Sequence, residues 1–397
     1  MSKKALLVAT LFCFHGLFER NNIKILQEQG YEIYTASNGA KKLGAHGDVG
    51  QLDSLNVNKN QIDFSRSPLS LSNLNAYKQI KKLINENNFD VIHCNTPVAS
   101  FITRVAARKA RKKGTKVIYT AHGFHFYKGA PLKNWLLYYT AEKICSYFTD
   151  ALITINLEDY ELAKRKMKAK MIYYIPGVGI NIEKFSNVVI DKEQKRKDLG
   201  IPLDAFLLFS AGDINKNKNH EIIIRAISQL ENSNLYYIIA GEGELESYLN
   251  SLIHSLKLEK NVKLIGYRND IAELYKISDI FCFPSYREGL SVALMEAMSA
   301  GLPVICSKIR GNMELIQDGK NGILCNPASV EDFTKAINII IHDDKKRAAM
   351  GSFSKEYVKK FDIHVVDKMM RDIYKNVIGG SKNKNENTSS FMQPLER

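Results

Sequence analysis

The apolar positions of this chain follow two rhythms. Short runs rich in β-branched residues and bounded by polar or turn-forming residues predict strands at Ala5–Ala9, Glu32–Ala36, Asp90–Cys94, Lys116–Thr120, Ala151–Ile155 and Met171–Ile175. The pattern repeats at Phe206–Ser210, Leu235–Ala240, Val262–Ile265, Ile280–Phe283, Pro303–Ser307 and Gly322–Cys325. Between them, apolar residues spaced by three and four predict helices at Leu74–Glu86, Leu157–Met167, Glu244–Leu256 and Val330–Ile341. Strands and helices alternating in this way predict an α/β fold of two Rossmann-like, doubly wound domains facing each other across a cleft.

The alternation is interrupted at Ile175–Phe185, where Pro176, Gly177 and Gly179 precede a charged stretch reaching Leu199. This places an N-terminal domain at 1–180 and a C-terminal domain at 181–362, with a hinge near Gly177–Gly179. Residues 363–378 are expected to form a helix packing back toward the N-terminal domain, and 379–397, without apolar periodicity, a disordered tail. Two lysines before the apolar run at Ala5 imitate an export signal, but no small-x-small cleavage site follows, which favours a first buried strand and a turn.

One segment concentrates the candidate chemistry. In "R-E-G-L-S-V-A-L-M-E-A-M-S-A-G", Ser291 is a plausible helix N-cap and Gly301 a plausible C-terminal stop. Glu288 then lies in the loop between a buried strand and that helix, at the carboxyl edge of the sheet, where open α/β sheets bind ligands. Gly289, Leu290 and Ser291 would turn free amides toward an anion at the helix N-terminus. Glu296 falls inside the helix. From spacing alone the pair could equally be a surface glutamate and a helix glutamate paired with a lysine.

The segment resembles the E-x7-E signature of the retaining family-4 glycosyltransferases of the GT-B fold, with Glu288 and Glu296 as its glutamates. Further stretches agree in order: "A-G-E-G-E-L", "L-I-G-Y-R-N-D-I-A-E-L-Y-K-I-S-D-I-F", "H-C-N-T-P-V" and "V-I-Y-T-A-H-G-F-H-F-Y-K-G-A-P". The last two are similar to the bacterial exopolysaccharide and capsule subgroup, which extends lipid-linked oligosaccharides.

The resemblance implies a role for each matching residue. Glu288 would hold hydroxyls of the donor sugar, Glu296 the ribose, and the amides of Gly289, Leu290 and Ser291 the diphosphate. Lys218 would neutralise the leaving group. Asp213 stands where the family often has arginine, so Lys216 is expected to share that work. Arg268 falls where the family binds the base, through its backbone. His122 would touch the transferred sugar and the reaction centre, with His125 near it, and Gly16 would form a glycine turn beside the diphosphate. The implied reaction is retention by same-face attack, with Glu288 a positioning residue and no carboxylate nucleophile. The implied partners are a nucleotide sugar, UDP-linked and carrying a hexose or N-acetylhexosamine, and a polyprenyl-diphosphate-linked saccharide.

Charge sharpens this reading. The chain carries +14, but residues 1–180 hold 26 Lys and Arg against 13 Asp and Glu, whereas 181–397 hold 30 against 29. The positive field therefore belongs to the first half, which suggests an anionic partner there. Arg104, Arg108, Arg111 and Lys112 are expected to form a cationic helix face that, with Trp135, docks on an anionic membrane surface at the inner face of the cell membrane. The six cysteines form no C-x-x-C pair and read as buried hydrophobes in a reducing cytoplasm. No D-x-D and no metal-ligand spacing occurs, so no metal and no cofactor is expected. "G-E-G-E-L-E" has Glu246 where a dinucleotide fingerprint needs its third glycine, which disfavours nicotinamide chemistry. Two other readings compete: a sugar-nucleotide epimerase of the same fold, and a basic nucleic-acid-binding protein, the latter lacking any nucleic-acid-binding motif.

Overall fold

The computed structural model describes residues 2–39, 52, 54–127 and 129–379. They fold as two compact units, one running to Ile175 and resuming at Asp367, the other spanning Pro176–Val366. The division falls a few residues before the sequence-based one. The helix Ile363–Ile378 belongs, from Asp367 onward, to the first unit. Residues 380–397, most of the expected tail, lie outside the described residues.

The first unit is built on seven parallel strands: β1 (Lys3–Leu11), β2 (Tyr31–Asn38), β3 (Asn58–Gln61), β4 (Val91–Asn95), β5 (Lys116–Ala121), β6 (Ala151–Thr154) and β7 (Met171–Tyr174), in the order β3-β2-β1-β4-β5-β6-β7. The apolar run that imitates an export signal is the buried central strand β1. Strand β3 was not predicted: its residues Asn-Lys-Asn-Gln are all polar, and it exists because it pairs with β2 at the sheet edge. The core gathers Leu6, Val8, Ile92, Val117, Tyr119 and Leu152 against Ile80, Ile84 and Ile102 of the covering helices.

The second unit has six parallel strands: β8 (Phe206–Ala211), β9 (Leu235–Ala240), β10 (Val262–Leu264), β11 (Ile280–Phe283), β12 (Val304–Ser307) and β13 (Gly322–Cys325), ordered β10-β9-β8-β11-β12-β13. Buried residues on its two faces form separate cores, one around Phe209, Tyr275 and Phe281, the other around Leu208, Ile223, Tyr237 and Phe333. All six cysteines are buried free thiols. Both sheets reverse strand order beside their first strand, β1 against β4 and β8 against β11, and at such a switch point the diverging loops leave a crevice.

Gly177 and Gly179 begin the second unit with φ of 75° and 80°. A Cβ on Gly179 would stand 2.9 Å from the Cα of Ile363, so backbone conformation and packing both require glycine there.

Candidate active site

In the second unit the switch point carries the glutamate segment. The helix Val292–Ala300 starts where Ser291, extended at φ −79° and ψ 120°, accepts a hydrogen bond from the Leu294 amide, and stops at Gly301 with φ 81°. Leu290 is buried against Gly177, while the amides of Gly289, Leu290 and Ser291 donate no hydrogen bond among the described residues. These orphan donors and the positive end of the helix leave the loop ready for an anion. The loop is held from outside: a Cβ on Gly311 would fall 1.7 Å from the carbonyl oxygen of Gly289, so only glycine admits that approach.

Lys218 reaches the same loop from the end of β8. Its Nζ donates to Glu288 Oε1 at 2.8 Å and lies 4.9 Å from the centroid of the Phe283 ring. The Asn217 side chain donates to the carbonyl of Arg287 at 2.9 Å, and the Tyr286 amide donates to the carbonyl of Asn217 at 2.8 Å. The two loops are thus clamped together, with the ammonium on the carboxylate of the residue that precedes the open amides.

Glu296 is mostly buried, and Tyr275 donates its hydroxyl to Oε2 at 3.1 Å. Burial raises its carboxyl to about 7, with the Tyr275 hydrogen bond and Lys184 opposing. A mostly buried carboxylate with one donor has unused acceptor capacity, which a diol could fill. The Glu246 carboxyl accepts from the Gly243 amide at 2.7 Å, a local cap, and explains why a glutamate replaces the third glycine of a dinucleotide loop.

In the first unit, His122 follows β5 and is half-buried. Its Nε2 lies 3.0 Å from Asn95 Oδ1, and its ring meets that of Phe14 edge-on at 5.0 Å. Burial lowers its pKa to about 4, so the imidazole is neutral at physiological pH. Beside it a cavity of about 270 Å³ is lined by Leu11, Phe14, Leu17, Arg66, His125 and Tyr138, among others. His125 is exposed and stacks on Tyr138 at 4.6 Å.

The chain matches two family descriptions, glycosyl transferases group 1 over residues 191–357 and glycosyl transferase 4-like over residues 4–156. EpsD of Bacillus subtilis (strain 168), a protein with a provisional glycosyltransferase name, is 37% identical over 378 residues, spanning 94% of this chain and 97% of its own length. The chain belongs to this glycosyltransferase family. An Escherichia coli enzyme named UDP-Gal:α-D-GlcNAc-diphosphoundecaprenol α-1,3-galactosyltransferase is 30% identical over 329 residues, 78% of this chain and 83% of that one. The glycosyltransferase also shares its fold with Anabaena HepE, solved with UDP and glucose: TM-score 0.77, 21% identity, 94% of this chain and all of the other covered.

Other expected residues fall differently. Gly16 does not form an open turn; it is buried within a helical π-turn, His15–Glu19, that follows β1 almost directly. Arg268 gives its guanidinium to Asp270, with Nε on Oδ1 at 2.8 Å and a second bond to Oδ2, which leaves the backbone, the part expected at the base, unaffected. Lys216 and Asp213 are exposed.

The cationic helix face needs correction. The helix Pro97–Ala106 buries Arg104, which is 1% exposed, donates to Glu142 Oε2 at 2.8 Å and lies 4.1 Å from the centroid of the Tyr119 ring. Burial disfavours its charge, but Glu142 outweighs that and holds the guanidinium above its usual pKa. Arg111 binds Asp150 through two nitrogens, at 2.9 and 3.0 Å. Only Arg108 and Lys112 of the four are exposed. Trp135 packs on Phe126 and Tyr139 at the edge of the core. The partners of Arg104 and Arg111 lie 38 and 39 positions away, beyond the reach of helical periodicity. Also missed were Glu19 and Tyr374, which approach His93 of β4 from distant segments, with Glu19 Oε2 at 4.0 Å and the Tyr374 hydroxyl at 2.7 Å from its Nδ1.

Proposed function

We propose that this glycosyltransferase moves a hexose or N-acetylhexosamine from a UDP-sugar, with retention, onto a polyprenyl-diphosphate-linked saccharide in exopolysaccharide or capsule assembly, while docked at the inner face of the cell membrane. The observation that carries the reading is the Lys218–Glu288 pair beside the unoccupied amides of Gly289–Ser291. The ammonium and the helix amides take the diphosphate, and Glu288 binds hydroxyls of the sugar. As the C1–O bond to the diphosphate breaks, an acceptor hydroxyl forms the new bond to C1 from the same face, and its proton passes to the departing phosphate oxygen. Fixed positive groups stabilise the charge that develops, so the step requires no metal. His122 meets the transferred sugar, and Glu296 the ribose. The acceptor assignment draws on the relative from Escherichia coli, whose name specifies a diphosphoundecaprenol-linked saccharide.

The ribose role of Glu296 gives a pH dependence. Ribose hydroxyls donate to the ionised carboxylate, so binding lowers the pKa of Glu296 from about 7 and releases a proton below that pH. The affinity for a UDP-sugar, titrated calorimetrically, is expected to rise with pH by up to about tenfold per unit below about 7 and to level off above it. Glu296→Gln removes the slope. A wild-type affinity flat from pH 5.5 to 8 would remove Glu296 from the ribose site.

For membrane docking, the exposed apolar side chains of the first unit are more informative than its arginines. Leu132, Leu136 and Ile144, spaced by multiples of four along consecutive helical segments, are 73%, 68% and 49% exposed, with Lys133 and Lys143 interspersed. Leu69 and Leu71 are 83% and 82% exposed. Such side chains with nearby lysines fit the interface of an anionic bilayer. No described helix is long and apolar enough to cross a membrane. Leu136→Glu is expected to weaken co-sedimentation with phosphatidylglycerol-containing vesicles at least about tenfold, from the loss of about 1.5 kcal/mol or more of buried apolar side chain. Undiminished binding of the variant would exclude this face.

A further inference from the structure

A polar layer crosses the interior of the first unit behind His122. The π-turn His15–Glu19 places the Glu19 carboxyl in the core at 1% exposure, and a π-turn inside a helix often marks a functional position. Asn22 donates to Glu19 Oε2 at 3.1 Å. Asn95, the last residue of β4, is fully buried, with Oδ1 at 3.0 Å from His122 Nε2. Its Nδ2 is a buried donor with no hydrogen-bond partner among the described residues, close enough to the Glu19 carboxyl to favour the ionised form. The next residue, Thr96, has φ 60° and ψ 136°, an unfavourable conformation for a β-branched side chain. Its Oγ1 takes the Thr10 amide at 3.0 Å and meets Thr10 Oγ1 at 2.8 Å, which fixes the strained strand end bearing Asn95.

The chemistry of the amide sets the direction of the relay. A carboxylate only accepts hydrogen bonds, so ionised Glu19 draws the Nδ2–H side of Asn95. That leaves Oδ1, which also only accepts, for the imidazole, and the proton of His122 must then sit on Nε2. We propose that Asn95 and Glu19 are positioning residues that fix His122 as its Nε2–H tautomer, leaving Nδ1 to accept a hydrogen bond from a hydroxyl of the transferred sugar. The link to transfer rests on the role given to His122 above; the tautomer itself does not.

The layer also supplies a switch. Burial pushes the Glu19 carboxyl to about 7, against the pull of Asn22 and Asn95. Once protonated, Glu19 can donate to Oδ1, the amide can turn over, and the tautomer is released. The other titratable groups facing this layer stay neutral through that range. Burial holds His122, His15 and His93 at about 4, 4 and 3, with His15 anchored on Ser37 at 2.8 Å. Tyr374 is pushed well above its usual value by burial and bonds His93 Nδ1 at 2.7 Å. A change at His122 between pH 6 and 8 therefore reports Glu19.

The test is ¹⁵N NMR of the imidazole nitrogens in the full chain, with His122 identified by the signals lost in His122→Gln. At pH 8, wild-type His122 is expected to show a pyrrole-type Nε2 and a pyridine-type Nδ1, moving toward averaged shifts with a midpoint near 7 on acidification. Glu19→Gln, nearly isosteric, should give averaged, pH-independent shifts, and a kcat about two- to tenfold lower with little change in donor KM. An Nδ1–H tautomer at pH 8, or wild-type shifts constant from pH 6 to 8, overturns the proposal without need of any variant, as does a Glu19→Gln titration identical to wild type. A tautomer that follows Glu19 while transfer is unchanged upholds the positioning and instead removes His122 from the reaction.

Discussion

Lys218→Ala is expected to lower the kcat of sugar transfer about 100- to 1,000-fold, the usual cost of removing one preorganised donor from a site of developing negative charge. The structure gives the reason for so large an effect. Lys218 is mostly buried, its Nζ is held 2.8 Å from Glu288, and Phe283 lies under it, so water cannot readily take its place at the proposed diphosphate seat. Glu288→Gln alone is expected to lose the charge-assisted hydrogen bond proposed to the sugar, about 1.5–3 kcal/mol or roughly 10- to 150-fold. Because the two side chains share one ion pair, the double variant should lose much less than the product of the single losses. Rates measured at saturating donor for all four proteins test this; a Lys218→Ala rate within threefold of wild type would exclude Lys218 from leaving-group stabilisation.

Arg104→Ala is expected to cost about 3–5 kcal/mol of stability, because it leaves the Glu142 carboxyl, itself 9% exposed, without its partner in the interior. The cation–π contact with Tyr119 is lost as well. Arg108→Ala, at an exposed position, should change stability by less than about 0.5 kcal/mol. Thermal unfolding of the two variants separates a buried structural arginine from a surface charge. Equal midpoints would restore Arg104 to the basic face.

Periodicity was enough to locate both sheets, because strands apolar on both faces stand out against amphipathic helices. It failed at β3, where pairing with β2 overrides the poor strand propensity of Asn-Lys-Asn-Gln. The Glu288 loop was legible for a local reason: N-cap, glutamate and helix stop lie within one continuous segment, and the Ser291 cap and the Gly301 stop form as that segment suggests. The contacts that complete the sites were not legible. Lys218 meets Glu288 across 70 positions, Tyr374 meets His93 across 281, and Arg104 finds Glu142 across 38. A charge on a helix also reads as solvated unless its counter-charge is known, which is why Arg104 was assigned to a surface.

The proposed retaining transfer from a UDP-sugar to a polyprenyl-diphosphate-linked saccharide can be followed with UDP-galactose, UDP-glucose and their N-acetylamino counterparts on an N-acetylglucosamine-diphospho-undecaprenol acceptor, by NMR of the product's new anomeric centre. UDP release is expected to be matched by one new α-linkage from at least one of these α-configured donors. A β-linkage, or UDP release with no saccharide formed on the lipid, would overturn the proposed function.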